Sequence, residues 1–253
     1  MFNLKKYLQE ANTFVSIFED IGIVPMSKCD GKANLSGKTI DGSAMFSIIS
    51  KDDYSYEEFA FRDWKIISSI LSTFKGIESF DIKMETREEN GIDYPSRMIF
   101  TSDVVNVNHF LQRFPAIEKS PIILKQYKDR KIKMALPKVN LIPVTQESIA
   151  DLNRVSSILP RKYFHIEQVD GDYFYCFGDM GSKSIDFAKV SMNLGINDRV
   201  DCGKYFPIGV YLSAIKSFDY KCIVGTASNY LFIAGETENT KVIIALAGKN
   251  TDA

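Results

Sequence analysis

Few residues of this chain have the types and spacing that chemistry needs. His109 and His165 are its two histidines, and neither lies near an HExxH pattern or a cysteine cluster. Each therefore reads as a polar or packing residue, not as a metal ligand or general base. No GxSxG turn is present to suggest an activated serine. Cys29, Cys176, Cys202 and Cys222 are scattered without a CxxC pair. That pattern fits buried thiols of a reducing compartment better than a disulfide framework or a zinc site. Asp52, Asp53, Glu57 and Glu58 lie dispersed along a tyrosine-rich stretch. No fixed separation for paired acid–base work follows from their spacing, and they read as a solvated face.

The nearest approach to a phosphate-binding loop is GKANLSGKT, from Gly31 to Thr39. A P-loop places four residues between its first glycine and the Gly-Lys pair, wraps successive amides around a phosphate, and runs on into a helix. Here five residues intervene, and the following TIDGSAMFSII reads as turn and strand. A hairpin loop is the better reading; a nucleotide-dependent enzyme built on Gly37, Lys38 and Thr39 is the alternative. No catalytic residue, cofactor or metal is expected.

The elements around these residues say more. The 253 residues are 45% hydrophobic and 25% charged, ample for one large core or two ordinary ones. Lys plus Arg (31) nearly balance Asp plus Glu (32), so any nucleic-acid surface must be a local patch. The N-terminus has no long apolar segment of a signal peptide, and no apolar run reaches the ~18 residues of a membrane span. A soluble cytoplasmic protein is expected, in the host cytoplasm if the source is viral.

Two distant stretches echo each other. ILSTFKGIESFDIK runs from Ile70 to Lys83, and YLSAIKSFDYK from Tyr211 to Lys221. Leu71-Ser72 and Leu212-Ser213 are 141 positions apart, and Phe80-Asp81 and Phe218-Asp219 are 138 apart. Val15-Ser16 and Val155-Ser156 add a spacing of 140. The period is domain-sized, so two copies of one architecture are expected.

Each copy has the same order of elements. Leu4, Tyr7, Leu8, Ala11, Phe14 and Phe18 make a helical apolar stripe. Trp64, Ile67, Ile70, Leu71 and Phe74 make a second, with Asp63 as its N-cap. In the second copy Thr145 caps a helix carrying Ile149, Leu152, Val155, Ile158 and Leu159, which Pro160 ends. Phe206, Val210, Tyr211, Ala214 and Ile215 form its second helix, with Pro207 in the first turn. Asn90-Gly91 and Asp170-Gly171 mark hairpins, and LFIAGETENTKVIIAL closes the chain as another. The expected class is α+β: two similar β-rich domains, each with two helices on antiparallel sheets. The boundaries are 1–135 for the first domain, 136–144 for a connector and 145–253 for the second. A basic, proline-punctuated stretch with Lys125, Lys128, Arg130, Lys131 and Lys133 lies before the connector.

Opposite their apolar stripes the helices carry short polar side chains mixed with cations. The first copy offers Lys5, Lys6, Asn12 and Ser16 on one helix, and Lys65, Ser68, Ser69, Ser72 and Lys75 on the other. The second offers Arg154 and Ser157, with Arg161 and Lys162 just beyond, and then Lys204, Ser213 and Lys216. Such a surface suits sequence-blind approach to a phosphate backbone, since cations attract it and hydroxyls bond it without reading a base. Any amphipathic helix also has a polar side, and Glu10, Glu19 and Asp151 lie on these same helices.

This order of elements resembles the sliding clamps, the ring-shaped processivity factors of DNA polymerases, and within them the two-domain clamps of tailed bacteriophages. LNRVSSIL, the DGDYFYCFG hairpin, KSIDFAKVSMNLG and GETENTKVIIAL follow the second clamp domain in order and spacing, and RDWKIISSILSTF resembles a helix of the first. The stretch from Ser120 to Lys138 is longer and more basic than in such clamps, and Ser50 to Phe59 is irregular. The resemblance implies a homotrimeric ring with its helices inside, threaded by double-stranded DNA without regard to sequence. It implies a DNA polymerase and a clamp loader as partners. It also implies a peptide-binding pocket near the connector, formed by Leu136, Val139, Leu141, Ile142, Ile244, Ala245 and Leu246. A monomeric DNA-binding processivity subunit or scaffold of the same fold is the other reading.

Overall fold

The computed structural model describes residues 2–75, 77, 79–113, 142–159, 162–178, 188–192, 203–227 and 229–250. The chain divides into two compact units. One is Met1–Asp41, Met45–Ala135 and Thr237–Val242; the other is Gly42–Ala44, Leu136–Glu236 and Ile243–Ala253.

In the first unit, helix α1 (Leu4–Val15) begins at Asn3, whose side chain accepts a hydrogen bond from the Lys6 backbone N–H at 3.0 Å. Helix α2 (Trp64–Thr73) begins at Asp63, which accepts from the Lys65 N–H at 2.8 Å, as its sequence position predicts. Both expected stripes are buried, including Phe18 and Phe74 just past the helix ends. The strands are β1 (Val24–Cys29), β2 (Lys32–Lys38), β3 (Ala44–Asp53), β4 (Phe59–Phe61), β5 (Phe80–Glu89), β6 (Ile92–Ser102), β7 (Asn106–Phe110) and β8 (Gln112–Arg113). They pair antiparallel in a run β8-β4-β1-β2-β3 and a separate sheet β5-β6-β7. Asn90 and Gly91 both have positive φ, 54° and 76°, and join β5 to β6 in the tight turn that an Asn-Gly pair favours.

Tyr7 joins α1 to the sheet. Its hydroxyl accepts from the Leu35 N–H at 2.9 Å and donates to the Ile48 carbonyl at 2.7 Å. The β2–β3 register shifts between Lys32 and Asn34, and the nearby Ala33 N–H is taken by Ser50 Oγ at 2.9 Å. Trp64 Nε1 donates to Asn12 Oδ1 at 3.0 Å, tying α2 to α1.

The Gly-Lys-Thr ending of the P-loop look-alike lies in and just after β2. Gly37 sits opposite Phe46, whose ring lies so close that a Cβ there would stand 2.7 Å from it. No helix follows, so the arrangement offers phosphate no amide nest. The hairpin-loop reading of Gly31 to Thr39 is corrected: Lys32–Lys38 is strand, and the turn lies before it, at Asp30 and Gly31, both with positive φ.

In the second unit, α3 (Gln146–Ile158) is capped by Thr145, which accepts from the Ser148 N–H at 3.2 Å. Ile149 and Leu152 are buried, whereas Ile158, expected on the core stripe, is 71% exposed. Helix α4 (Ile208–Ser217) starts two residues later than the stripe from Phe206 suggests. The strands are β9 (Ile142–Pro143), β10 (Tyr163–Val169), β11 (Asp172–Phe177), β12 (Ala188–Ser191), β13 (Tyr205–Pro207), β14 (Cys222–Ala227), β15 (Tyr230–Glu236) and β16 (Thr240–Ala247). Phe206 belongs to β13, paired with Phe164 of β10, and Pro207 ends that strand as the helix N-cap. The sheet orders are β12-β11-β10-β13 and β16-β15-β14-β9, again antiparallel. An aromatic cluster of Phe164, Tyr175, Phe206 and Tyr211 joins α4 to its sheet, and the Tyr175 and Tyr211 hydroxyls share a 2.6 Å hydrogen bond.

The units repeat, but not in the register of the echoed letters. Trp64, Ile67, Ile70, Leu71 and Phe74 are buried, and so are Ile208, Tyr211, Ala214, Ile215 and Phe218. Every pair is separated by the 144 positions between Trp64 and Ile208. Phe80–Lys83 opens strand β5, whereas Phe218 caps α4 and Asp219 and Tyr220 make a positive-φ turn. The shared Phe-Asp letters therefore occupy different structures, and the duplication is carried by the burial pattern.

Candidate nucleic-acid interface

The exposed faces of the four described helices follow from helical spacing. On α2, Lys65, Ser69 and Ser72 are exposed at i, i+4 and i+7. On α4, Gly209, Ser213 and Lys216 repeat that arrangement. On α1 the exposed line is Lys6, Gln9, Thr13 and Ser16, and on α3 it includes Asn153, Arg154 and Ser157. Gln9, Thr13 and Asn153 were not singled out from sequence, although the spacing from Lys6 and Arg154 points to them.

The cations differ in how free they are. Lys65 faces Asp20 at 3.6 Å, Lys6 faces Glu238 at 3.6 Å, and Arg154 faces Asp151 at 2.9 Å. All three pairs are solvent-exposed, so they contribute little and yield readily to a phosphate. Lys75, Lys162 and Lys216 are exposed as well. Lys216 lies in the last turn of α4, where the helix dipole favours a cation.

Two expected DNA-facing lysines do not belong to this set. Lys5 is half-buried; its ammonium donates to the Phe80 carbonyl at 2.6 Å and lies 3.9 Å from the centre of the Phe80 ring. It is a structural clamp of α1 on β5. Lys204 precedes β13, off the helix, and donates to the Asn250 side chain. Asn12 is spent on Trp64. Glu10, an acidic residue expected to weaken the α1 face, is itself committed to the Thr237 and Asn239 side chains and to the Asn239 N–H. Arg161 lies outside the described residues.

A groove of about 300 Å³ opens between the end of α1 and the start of α2, lined in part by Val15, Phe18, Asp63, Trp64 and Lys65. Glu19 and Asp63 on its wall make it a poor seat for phosphate. Of the expected peptide-pocket residues, Leu136, Val139 and Leu141 lie outside the described residues, and Ile142 is described only as backbone of β9. Ile244, Ala245 and Leu246 are at most 1% exposed, in the core rather than on a groove wall.

Among titratable groups, burial raises the Tyr7, Tyr54, Tyr175 and Tyr211 hydroxyls well above the ordinary tyrosine range. Their role is to bond, not to ionise. Burial holds His109 below the ordinary histidine value. His165, Glu167 and Cys176, scattered in sequence, come together on one face of the β10–β11 hairpin.

No protein-family profile and no curated protein matches the sequence. Solved structures do. PCNA from Thermococcus kodakaraensis superposes with a TM-score of 0.59 at 12% identity, over 98% of both chains. A. fulgidus PCNA, solved with the C-terminal region of FEN-1 bound, gives 0.58 at 12% identity, over 97% of this chain and 96% of that one. A putative DNA polymerase III beta subunit from Eubacterium rectale gives 0.60 at 13% identity, over 98% of this chain and 63% of that one. The fold is that of the sliding clamps. At these identities the likeness establishes the α+β clamp architecture and nothing finer. No described helix is long and apolar enough to cross a membrane.

Proposed function

We propose that this protein is a DNA sliding clamp. Three copies close into a ring around duplex DNA and tether a replicative DNA polymerase, after a clamp loader has placed the ring. Its two clamp domains are 1–135 and 145–253, with 136–144 as connector, in the two-domain manner of the tailed-phage clamps. The observation that carries this reading is the repeated unit itself: each copy turns its apolar helix stripes onto antiparallel sheets and leaves a small, polar, partly cationic face outward. With formal net charge −1, the molecule does not bind DNA by bulk attraction. A ring needs no such attraction, because linkage holds the duplex while weak, exchangeable contacts let it slide.

The free sheet edges support closure. Among the described strands, β5 is a poor joint because its edge carries Asp81, Lys83, Glu85, Arg87, Glu88 and Glu89. β13 is bridged at Tyr205 by Lys249, and β8 and β9 have two residues each. β7, the uncharged NVNHF, and β12, AKVS, are edges able to pair between copies. The DNA-facing set is Lys6, Lys65, Ser72, Lys75, Arg154, Arg161, Lys162, Ser213 and Lys216. The partner-peptide pocket falls to Leu136, Val139, Leu141 and Ile142.

The test is topological. Sedimentation of the pure protein should give the mass of three chains, and protein loaded on nicked circular DNA should stay bound until the circle is linearised. A monomer that binds linear and circular DNA alike would replace the ring with the scaffold reading.

A further inference from the structure

We propose that His165, Glu167 and Cys176 form a binding site for a zinc-like divalent cation on the four-stranded sheet of the second unit. The Asp170-Gly171 turn fixes the register of the hairpin, which sets Cys176 of β11 directly opposite His165 of β10. Directly opposed residues share a face, and Glu167, two residues beyond His165, shares it too. The opposite face carries Phe164 and Tyr175, which pack on Tyr211 of α4. The cluster therefore lies on the side of the sheet turned away from α4.

The three ligand atoms lie within 4.8 Å of one another. His165 is 4% exposed and Cys176 fully buried, and His165 Nε2 stands 2.9 Å from Glu167 Oε1. That one hydrogen bond does not satisfy the pair. His165 Nδ1 and Glu167 Oε2 are both buried with no partner, an expensive state for polar atoms in a sheet that otherwise pairs its groups. Imidazole, carboxylate and thiol together are the donor set that zinc takes in tetrahedral sites, with one position left open.

Ligation needs the thiolate, so binding displaces the Cys176 thiol proton to solvent as the S–metal bond forms. A divalent ion held by one thiolate and one carboxylate is locally neutral. It can thus sit near Lys189, the cross-strand neighbour of Cys176. Tyr205, opposite His165 on β13, packs tilted against the imidazole, 4.8 Å and 53° between the rings, and restrains its orientation. The site does not depend on the DNA-tethering reading.

The test uses the full chain stripped by a chelator, then titrated with Zn²⁺ by calorimetry and with Co²⁺ by absorption. One ion per chain is expected, with a thiolate-to-cobalt charge-transfer band in the near ultraviolet. Cys176→Ser should abolish the band, Glu167→Gln should weaken Zn²⁺ binding at least about tenfold, and Cys29→Ser should change neither. Absence of the band in the wild-type protein, or its survival in Cys176→Ser, would overturn the site. Should Cys176→Ser fail to fold, the near-isosteric Glu167→Gln decides: unchanged Zn²⁺ affinity rejects the proposal.

Discussion

Single side chains set how the helices sit on their sheets. The Tyr7 hydroxyl serves two buried backbone groups at once, the Leu35 N–H and the Ile48 carbonyl. Tyr7→Phe keeps the ring and removes both bonds, stranding a donor inside β2. A loss of about 1–3 kcal/mol is expected, the usual cost of an unsatisfied buried group, read as a lower urea midpoint at unchanged slope. His109 gives a pH signature. Burial lowers its folded value, with Asp63 opposing, and its Nε2 has no partner. The unfolded chain therefore takes up a proton that the folded chain resists, in the window from the ordinary value of 6.5 down to the depressed one. Stability from the neutral ring is complete above that window and falls as pH drops into it. Urea midpoints measured on both sides of pH 6.5 should fall on acidification more steeply for the wild type than for His109→Gln. Equal slopes would remove His109 as the cause.

At the scale of elements, much was legible because helix caps, stripes and hairpin turns are local. Asp63 and Thr145 cap where their positions predict, and Asn90-Gly91 and Asp170-Gly171 turn where expected. Asp63→Ala should cost about 1 kcal/mol in thermal or urea unfolding. What misled was literal identity. The Leu-Ser and Phe-Asp echoes suggested spacings of 141 and 138, whereas the second helices of the two units correspond at 144 in their buried residues, because packing depends on burial and not on letters. Lys204 and Lys5 were misassigned for a related reason: side-chain commitments to Asn250 and Phe80 are tertiary and leave no local trace. The metal-type cluster was within reach, since a two-residue turn already fixes which residues of a hairpin face each other. The helix faces then make a graded prediction. Replacing Lys65, Lys75 and Lys216 together by alanine should lower the salt dependence of DNA binding by about one unit of slope for each phosphate that is no longer neutralised. Lys204→Ala should leave the slope unchanged, and equal effects from the two variants would undo the distinction between them.

At the scale of the whole molecule, the question is what covers the free strand edges. β7 ends in Phe110, which is 73% exposed and projects from an edge strand without a charged residue. An uncovered edge of that kind is a liability in a monomer, and most proteins blunt such edges with charge, as β5 does here. In the proposed ring, pairing between copies would resolve it: β7 of one chain would supply backbone donors and acceptors to β12 of the next, with Phe110 as the apolar anchor of the joint. Because such a joint uses one edge of each kind, it would be head-to-tail and close only when the rotation between copies divides a circle. A buried aromatic anchor is typically worth about 2 kcal/mol or more at an interface, so Phe110→Asp should weaken assembly by well over tenfold. Since the side chain is exposed in the single chain, the same change should leave circular dichroism and unfolding midpoint nearly untouched. Sedimentation at micromolar concentration should then show the wild type as three chains and Phe110→Asp as one, with retention on circular DNA abolished in parallel. A variant that still sediments as three chains would mean that the ring joint does not run through β7.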